Sequence, residues 1–151
     1  MSSIVSTFRR DANHVPIQTL GFTNIKTIAF DGTTGKGAQG TTTLFTITGT
    51  VAVNFYGFCT EDLASAGGGT CAVGVAGATA SLADQQNATA IDNHEVWSDA
   101  VLAIGGTVAN HYHPIDQNII LTIGTADVTN GTIDFYVNWV PLSPDANLEN
   151  A

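Results

Sequence analysis

The sequence has very few basic residues, and none of them lies beyond Lys36. Lys and Arg together number 4 against 13 Asp and Glu, and the formal net charge is −9. Only two of the acidic residues, Asp11 and Asp31, precede Lys36, so the first part of the chain is slightly basic and the rest is acidic. An acidic domain repels phosphate backbones, and we therefore expect no binding of nucleic acid.

Cysteines are also scarce, since Cys59 and Cys71 are the only two. This number is too small for a disulfide scaffold, and their spacing is not that of a CxxC metal or redox motif. We expect two free thiols packed in the fold. A disulfide across the Gly-rich loop between them is the alternative, and it requires an oxidising compartment.

Long apolar runs and targeting signals are missing as well. No run approaches the ~20 apolar residues that span a bilayer. The first ten residues lack the basic region, apolar run and cleavage site of a signal peptide. The sequence therefore predicts a protein that is synthesised in a cytoplasm and has no membrane segment.

Strong helix formers are rare, with 1 Met and only 11% charged residues, whereas Gly (16 residues) and the β-branched types are frequent. The clearest pattern is the alternation over 131–140, which is typical of a half-buried strand. The predicted core face of this strand consists of Ile133, Phe135, Val137 and Trp139. Tyr136 and Asn138 lie on the opposite face, which we expect to be wet or to contact another subunit.

Weaker alternation predicts five further strands, at 19–30, 42–48, 51–58, 71–76 and 118–123. Gly49-Thr50 predicts either a type II′ hairpin turn or a kink in one long strand. Residues 61–69 are predicted to be a loop, and 78–90 a loop or a short helical turn.

The predicted fold is all-β: an antiparallel β-sandwich or jelly roll of about seven to eight strands, with an extended N-terminal arm. At 151 residues the chain suits one domain. We divide it into an arm (1–18), a sandwich domain (19–142) and a polar C-terminal tail (143–151).

His111 and His113 have the spacing of a metal-ligand pair, because residues i and i+2 of a strand share a face. Asp116, His94 or Glu95 are the candidates to complete such a site, as in a cupin-like barrel. The glycines and the downstream Glu and His of cupin motifs are missing, however. We therefore predict no metal or other cofactor, and interpret the pair as loop residues at an interface.

The remaining chemical candidates indicate no enzyme. Asp92, His94, Glu95 and Asp99 near Trp97 are candidates for an acid–base cluster or a carbohydrate platform, but a solvated acidic loop is the preferred interpretation. The chain has no GxSxG motif, and Lys36 is followed by glycine and another strand rather than by the Ser or Thr and helix of a phosphate loop. The predicted interface-loop residues are His94, Trp97, His111, Tyr112 and His113.

Two segments carry a family resemblance: FRRDANHVPI at 8–17 and FYVNWVPLSPDAN at 135–147. They resemble small virion proteins of tailed bacteriophages, in which a (R)DxNxVP arm precedes a Gly- and Thr-rich β domain. The resemblance implies a capsid decoration (cement) protein on the outer surface of the virion, which binds the major capsid protein and forms a homo-oligomer, often a trimer. The implied arm contacts are Phe8, Arg9, Arg10, Asp11, Val15 and Ile17.

Two alternative functions are also consistent with the sequence. One is a phage tail or receptor-binding module that recognises host glycans through the loops at 92–99 and 105–117. The other is a metal-binding cupin-like enzyme built on the histidine pair.

Overall fold

The computed structural model describes residues 9–10, 16–17, 21–98 and 112–151. These residues form twelve strands and one short 3-10 helix, Ala88–Ala90. The strands are β1 (Arg9–Arg10), β2 (Pro16–Ile17), β3 (Phe22–Ala29), β4 (Gly40–Thr48), β5 (Val51–Ala64), β6 (Thr70–Val75), β7 (Ala78–Asn87), β8 (Val96–Trp97), β9 (His113–Ile115), β10 (Ile119–Gly124), β11 (Asn130–Pro141) and β12 (Asn147–Asn150).

Ten of the strands form two antiparallel sheets. The first sheet has the order β12-β4-β10-β6-β7. The second has the order β3-β11-β5, and both β8 and β9 pair with the far edge of β5. The all-β class with antiparallel sheets is therefore confirmed, whereas the jelly-roll topology stays a prediction.

The number of strands exceeds the predicted seven to eight. Three of the additional strands, β8, β9 and β12, are only two to four residues long. A segment this short contains too few residues to show alternation, and only its pairing with β5 or β4 makes it a strand.

Strand β11 is the centre of the second sheet, paired along its length with β3 and β5. Ile133, Phe135 and Val137 are fully buried, and Trp139 is 3% exposed. They belong to one hydrophobic core that also contains the inward side chains of the first sheet, such as Leu121. The two sheets thus enclose a common core in a sandwich-like arrangement.

The turn at Gly49-Thr50 does not form a hairpin, and that prediction is wrong. Strands β4 and β5 flank the turn but belong to different sheets, so the chain passes from one sheet to the other there. Gly49 has a φ of +66°. Glycine adopts this left-handed conformation without a steric penalty, which allows the sharp change of direction.

Three segments without a predicted strand contain one. Strand β5 continues through Ala64 into the predicted loop at 61–69. The segment at 78–90 is β7 followed by the 3-10 helix. The predicted polar tail is also wrong, because β12 pairs with β4 and Leu148 is 3% exposed. One buried leucine anchors this edge strand, although its neighbours in sequence are polar.

Side chains join the two sheets along both of their edges. On one side the Trp97 indole nitrogen of β8 donates to the Asp84 carbonyl oxygen of β7 at 2.9 Å. On the other side the Lys26 ammonium donates to the Ala151 carbonyl oxygen at 2.5 Å. The Asn150 amide also donates there to the Ile25 carbonyl oxygen at 2.7 Å. These bonds satisfy polar groups where the sheets would otherwise separate.

Four residues of the predicted arm are described, and they pair with each other. Arg9 lies opposite Ile17 and Arg10 opposite Pro16, in an antiparallel pair of two-residue strands. At these positions the backbone forms a ribbon rather than a single extended strand. Phe8, Asp11 and Val15 lie outside the described residues, and the extended arm as a whole stays a prediction.

Candidate functional site

The outward side of the second sheet carries a cluster of large apolar side chains. Register places Tyr136 of β11 opposite both Ile25 of β3 and Tyr56 of β5, and Val96 of β8 opposite Phe58 of β5. Because alternate residues of a strand share a face, these side chains point away from the core. We call the cluster of Ile25, Tyr56, Phe58, Val96 and Tyr136 the aromatic face.

The centre of the aromatic face is the pair of Tyr56 and Tyr136. Their ring centroids are 5.0 Å apart and their planes differ by 6°. A stacked pair on neighbouring strands stabilises the sheet by roughly 0.5–1.5 kcal/mol beyond its buried area. The stack also limits the rotamers of both rings, so that a partner meets an ordered aromatic ridge.

The aromatic face is well exposed at both ends of this ridge. Ile25 is 46% exposed and Val96 62% exposed, and they are two of the three large hydrophobic side chains found exposed in the described ranges. Tyr56, Phe58 and Tyr136 are half-buried. Single exposed apolar residues are ordinary, but a contiguous set is typical of an interaction surface.

Two polar pairs flank the aromatic ridge. Each pair lies two residues from Ile25 and Tyr136 along the strands, in the next row of outward side chains. The Thr27 hydroxyl donates to Asp134 Oδ1 at 2.5 Å. The Thr23 hydroxyl donates to Asn138 Oδ1 at 2.7 Å. Between Thr132 and Val140 the outward side of β11 therefore carries one charge, that of Asp134. In a chain of net charge −9, such a weakly charged area is suited to binding protein.

The acidic loop before β8 is held by hydrogen bonds from its own backbone. The Asn93 amide donates to Asp62 Oδ1 at 2.6 Å, and the Asp92 amide to Glu95 Oε2 at 3.2 Å. His94 is exposed with a φ of +69°, and its amide donates to the Cys59 carbonyl oxygen at 2.9 Å. These carboxylates thus have a structural role in positioning the loop on β5.

Trp97 is not an interface-loop residue, and that prediction is wrong. It lies in β8, is 5% exposed, and its ring centroid is 6.4 Å from that of Phe135 in the core. Most residues of the segment 92–99 are polar or acidic, which suggested a solvated loop. The pairing of β8 with β5 instead turns the indole inward and leaves Val96 outside.

The remaining predicted interface residues lie near the other end of the same sheet edge. Tyr112 is half-buried just before β9. His113 is half-buried within β9, opposite Val53, rather than in a loop. His111 lies outside the described residues, as does Asp99 of the predicted acidic loop. The histidine pair is therefore described at only one of its two positions.

Potential metal ligands are dispersed over the described part of the chain. Within residues 21–98 and 112–151, no three His, Cys, Asp or Glu residues lie close enough together to hold one ion. Cys59 and Cys71 are both buried and unbridged. Burial raises the pKa of the Cys59 thiol, and it raises the pKa of Cys71 to about 12. Such thiols are poor nucleophiles at neutral pH because the thiolate is the reactive form.

Sequence reasoning identified Tyr136 and Asn138 but missed the rest of the aromatic face. The outward residues of β5 include Tyr56 and Phe58, and aromatic residues on both faces of a strand are typical of a central strand that is covered on both sides. In the structure the outward side of β5 is instead half-exposed. The signal was therefore present, and the aromatic alternation of β5 could equally have been interpreted as an open binding surface.

Comparison of the chain with protein-family models, with curated proteins and with solved structures finds no match. Among the residues that the structure describes, no helix has the length and apolar character needed to cross a membrane.

Proposed function

We propose that the protein is a non-catalytic structural component of a virion, which decorates the outer surface of the capsid and stabilises the shell through protein–protein contacts. The observation that carries this proposal is the aromatic face. It presents an ordered, weakly charged set of apolar side chains on four neighbouring strands, which is a suitable geometry for binding another protein.

The charge distribution supports a division of roles between the two parts of the chain. Arg9 and Arg10 lie in the N-terminal segment (1–18), and from residue 37 onward the chain has no Lys or Arg. Arginine forms bidentate contacts with carboxylates, so this segment is suited to an acidic surface of the major capsid protein. In this proposal the sheet domain supplies a second contact surface, the aromatic face.

The physical effect of decoration comes from the number of copies. A contact that contributes a few kcal/mol per copy, about the net free energy of a millimolar complex, multiplies over a shell. Each copy that bridges neighbouring subunits makes their separation more difficult. A rigid β domain with a pre-ordered surface serves this function because little side-chain entropy is lost on binding.

Glycan recognition by a tail or receptor-binding module has weaker support. Aromatic side chains are the usual stacking surface for sugars, and Trp97 was the aromatic candidate in the loop at 92–99. Its indole is buried and its N–H is bonded to the Asp84 carbonyl oxygen. The described part of that loop offers His94 and carboxylates that are bonded to its own backbone.

Co-sedimentation with capsids tests the proposal. Full-length protein and a variant lacking residues 1–17 are mixed with shells that lack the protein, taken from the virus that encodes it, and are then sedimented. We expect saturable, stoichiometric binding of the full chain and loss of binding by the variant. Circular dichroism of the variant is the control, and it should retain the β spectrum of the full chain.

Three results would contradict different parts of the proposal. Absence of the full chain from the sedimented shells would contradict a role in decoration. Stoichiometric binding of the truncated variant would contradict the role of residues 1–17 while retaining decoration. Binding of the full chain to a glycan array, without binding to shells, would favour the receptor-binding alternative.

A further inference from the structure

We propose that the partner across the aromatic face is a second copy of this chain, packed face to face about a two-fold axis that crosses β11 at Tyr136. This inference rests on the proposed function and names the partner of the same surface. It follows from the order of the polar groups along β11. When the β11 strands of two copies run in opposite directions, the hydrogen-bond acceptor of each copy faces the donor of the other.

The residues on either side of Tyr136 have opposite hydrogen-bonding character. Asp134, two residues before it, presents a carboxylate that accepts from Thr27. Asn138, two residues after it, uses its oxygen to accept from Thr23, which leaves its amide group as the donor for a partner. The face therefore has an acceptor at one end and a donor at the other, with the tyrosine stack between them.

A two-fold axis perpendicular to β11 places these groups opposite each other. Position 136 of one copy meets position 136 of the other, and Asp134 meets the Asn138 of the second copy, twice by symmetry. Strands of two packed sheets cross at about 30°, which displaces residues two positions from the axis by only about 3 Å. A side-chain carboxylate and amide can bridge that displacement.

Rotation about the other in-plane axis, parallel to β11, gives a less favourable contact. It places Asp134 opposite Asp134, so that two like charges meet in an apolar interface. The aromatic face is thus complementary to itself in one orientation and repulsive in the other. This distinction specifies an antiparallel, isologous dimer in place of the trimer that the family resemblance implies.

Electrostatics also favour this surface for contact between identical copies. Each copy carries a net charge of −9, and two such molecules repel each other wherever acidic surfaces meet. The loop with Asp92 and Glu95, together with Asp62 of β5, is one such acidic surface. Beside the aromatic face, the outward side of β11 carries one carboxylate, Asp134, whose repulsion the opposing Asn138 amide removes.

The dimensions of the face indicate a weak association. The four strands of the face span about 15 Å across the sheet, and four outward rows of residues span about 20 Å along it. A contact of this size belongs to the small interfaces of less than about 1,200 Å² in total. We expect a dissociation constant on the order of 1–100 µM. On a shell, the high local concentration of bound copies would favour the dimer further.

Sedimentation equilibrium of the full chain in the absence of shells, over a dilution series from about 1 to 300 µM, tests this inference. We expect wild-type protein to pass from monomer to dimer. Asn138→Asp places a carboxylate opposite Asp134 and should raise the dissociation constant at least tenfold. The double variant Asp134→Asn, Asn138→Asp exchanges the two groups, restores the complementary contact, and should return within about threefold of wild type.

Gln85→Glu is the matched control, because it adds the same charge at an exposed position of β7 in the other sheet. We expect it to change the dissociation constant less than threefold. The Thr23 and Thr27 hydroxyls can donate to either Asp or Asn, so the exchange preserves the bonds within each copy.

A wild-type protein that remains monomeric at 300 µM, or that forms a trimer, would overturn the two-fold contact. Failure of the double variant to recover would do the same, even if wild type dimerises. Neither result bears on binding to shells, which the co-sedimentation experiment measures separately.

Discussion

Trp97 of the second sheet and Asp84 of the first are joined by a hydrogen bond of 2.9 Å from the indole nitrogen to the main-chain carbonyl oxygen. Trp97 is 5% exposed, and its ring packs against Phe135 in the core. One side chain therefore contributes both core packing and a polar connection between the sheets. This bond lies at the edge where only two residues of β8 pair with β5.

Replacement of Trp97 should separate these two contributions. Trp97→Phe retains most of the packing and removes the hydrogen bond to the Asp84 carbonyl oxygen, which should lower the free energy of unfolding by about 0.5–1.5 kcal/mol. Trp97→Ala also creates a cavity and should cost about 3–5 kcal/mol. Urea unfolding followed by circular dichroism measures both changes.

The control for the tryptophan variants is Val96→Ala at the adjacent, 62% exposed position. It should change the free energy of unfolding by no more than about 0.5 kcal/mol at concentrations that keep the protein monomeric. Equal stability of Trp97→Phe and wild type would show that the hydrogen bond between the sheets contributes nothing.

Strand β12 should contribute to global stability despite its polar sequence. Leu148 is 3% exposed and lies opposite Ile47 of β4. Leu148→Ala should lower the free energy of unfolding by about 2–5 kcal/mol, because it leaves a cavity beside the edge strand. Chemical denaturation measures the change. The neighbouring Glu149→Ala, at an exposed position, should alter stability by less than about 1 kcal/mol, and a comparable effect of both variants would contradict a buried anchor.

The sequence predicted strands where a segment shows clear alternation, whereas the ten-residue β7 and the end of β5, which do not alternate clearly, were missed. In β11, four inward apolar residues alternate with polar ones, and their burial matches the expectation. Strand β12 has a single buried residue, and β8 has one of its two residues buried. Such short segments become strands only through pairing with β4 or β5, and local sequence contains no information about that partner.

Only part of the candidate site was predicted from the sequence. The residues that were missed join the site through the register between strands that are distant in the sequence. Tyr136 and Asn138 were assigned to an outward, contact-forming face from the β11 pattern alone. Their relation to Ile25 and Tyr56 follows from the pairing of three strands that are distant in the sequence. Trp97 was instead assigned to the surface although it is buried. The acidic residues near it in the sequence favour an exposed position, but the pairing of β8 with β5 turns its side chain inward.

Gly49, at the passage between the two sheets, should tolerate no side chain. Its φ is +66°, and a Cβ atom there would collide with Ser143 Oγ and lie 2.8 Å from Asp145 Oδ1. Ser143 in turn accepts a hydrogen bond from the Thr50 amide at 2.9 Å. Gly49→Ala should therefore lower the free energy of unfolding by about 2–4 kcal/mol, the sum of backbone strain and displaced contacts.

Gly35 provides a matched comparison for Gly49. Its φ is +80°, but a Cβ atom would meet nothing within 4 Å. Gly35→Ala should cost about 1 kcal/mol from backbone strain alone. Thermal unfolding of the two variants measures the difference between them. If both variants lost the same stability, the close approach of Ser143 would have no energetic effect.

The buried thiol of Cys71 should make the protein less stable in alkaline solution. Burial raises its pKa from the ordinary value of 9.0 to about 12, because the thiolate is poorly solvated in the core. Below pH 9 the thiol is protonated in both the folded and unfolded states, and its full contribution to stability is present. Between pH 9 and 12 the unfolded chain loses this proton while the folded chain keeps it, so ionisation stabilises the unfolded state.

Comparison of wild type with Cys71→Ala isolates this effect from the titration of Tyr and Lys. The free energy of unfolding of wild type should fall more steeply with pH than that of the variant, by up to roughly 1.4 kcal/mol per pH unit. Urea unfolding at intervals from pH 8 to 11 measures the two slopes. Parallel slopes would contradict a protonated thiol in the core, as would rapid reaction of Cys71 with a thiol reagent in the folded protein at pH 8, since the thiolate is the reacting form.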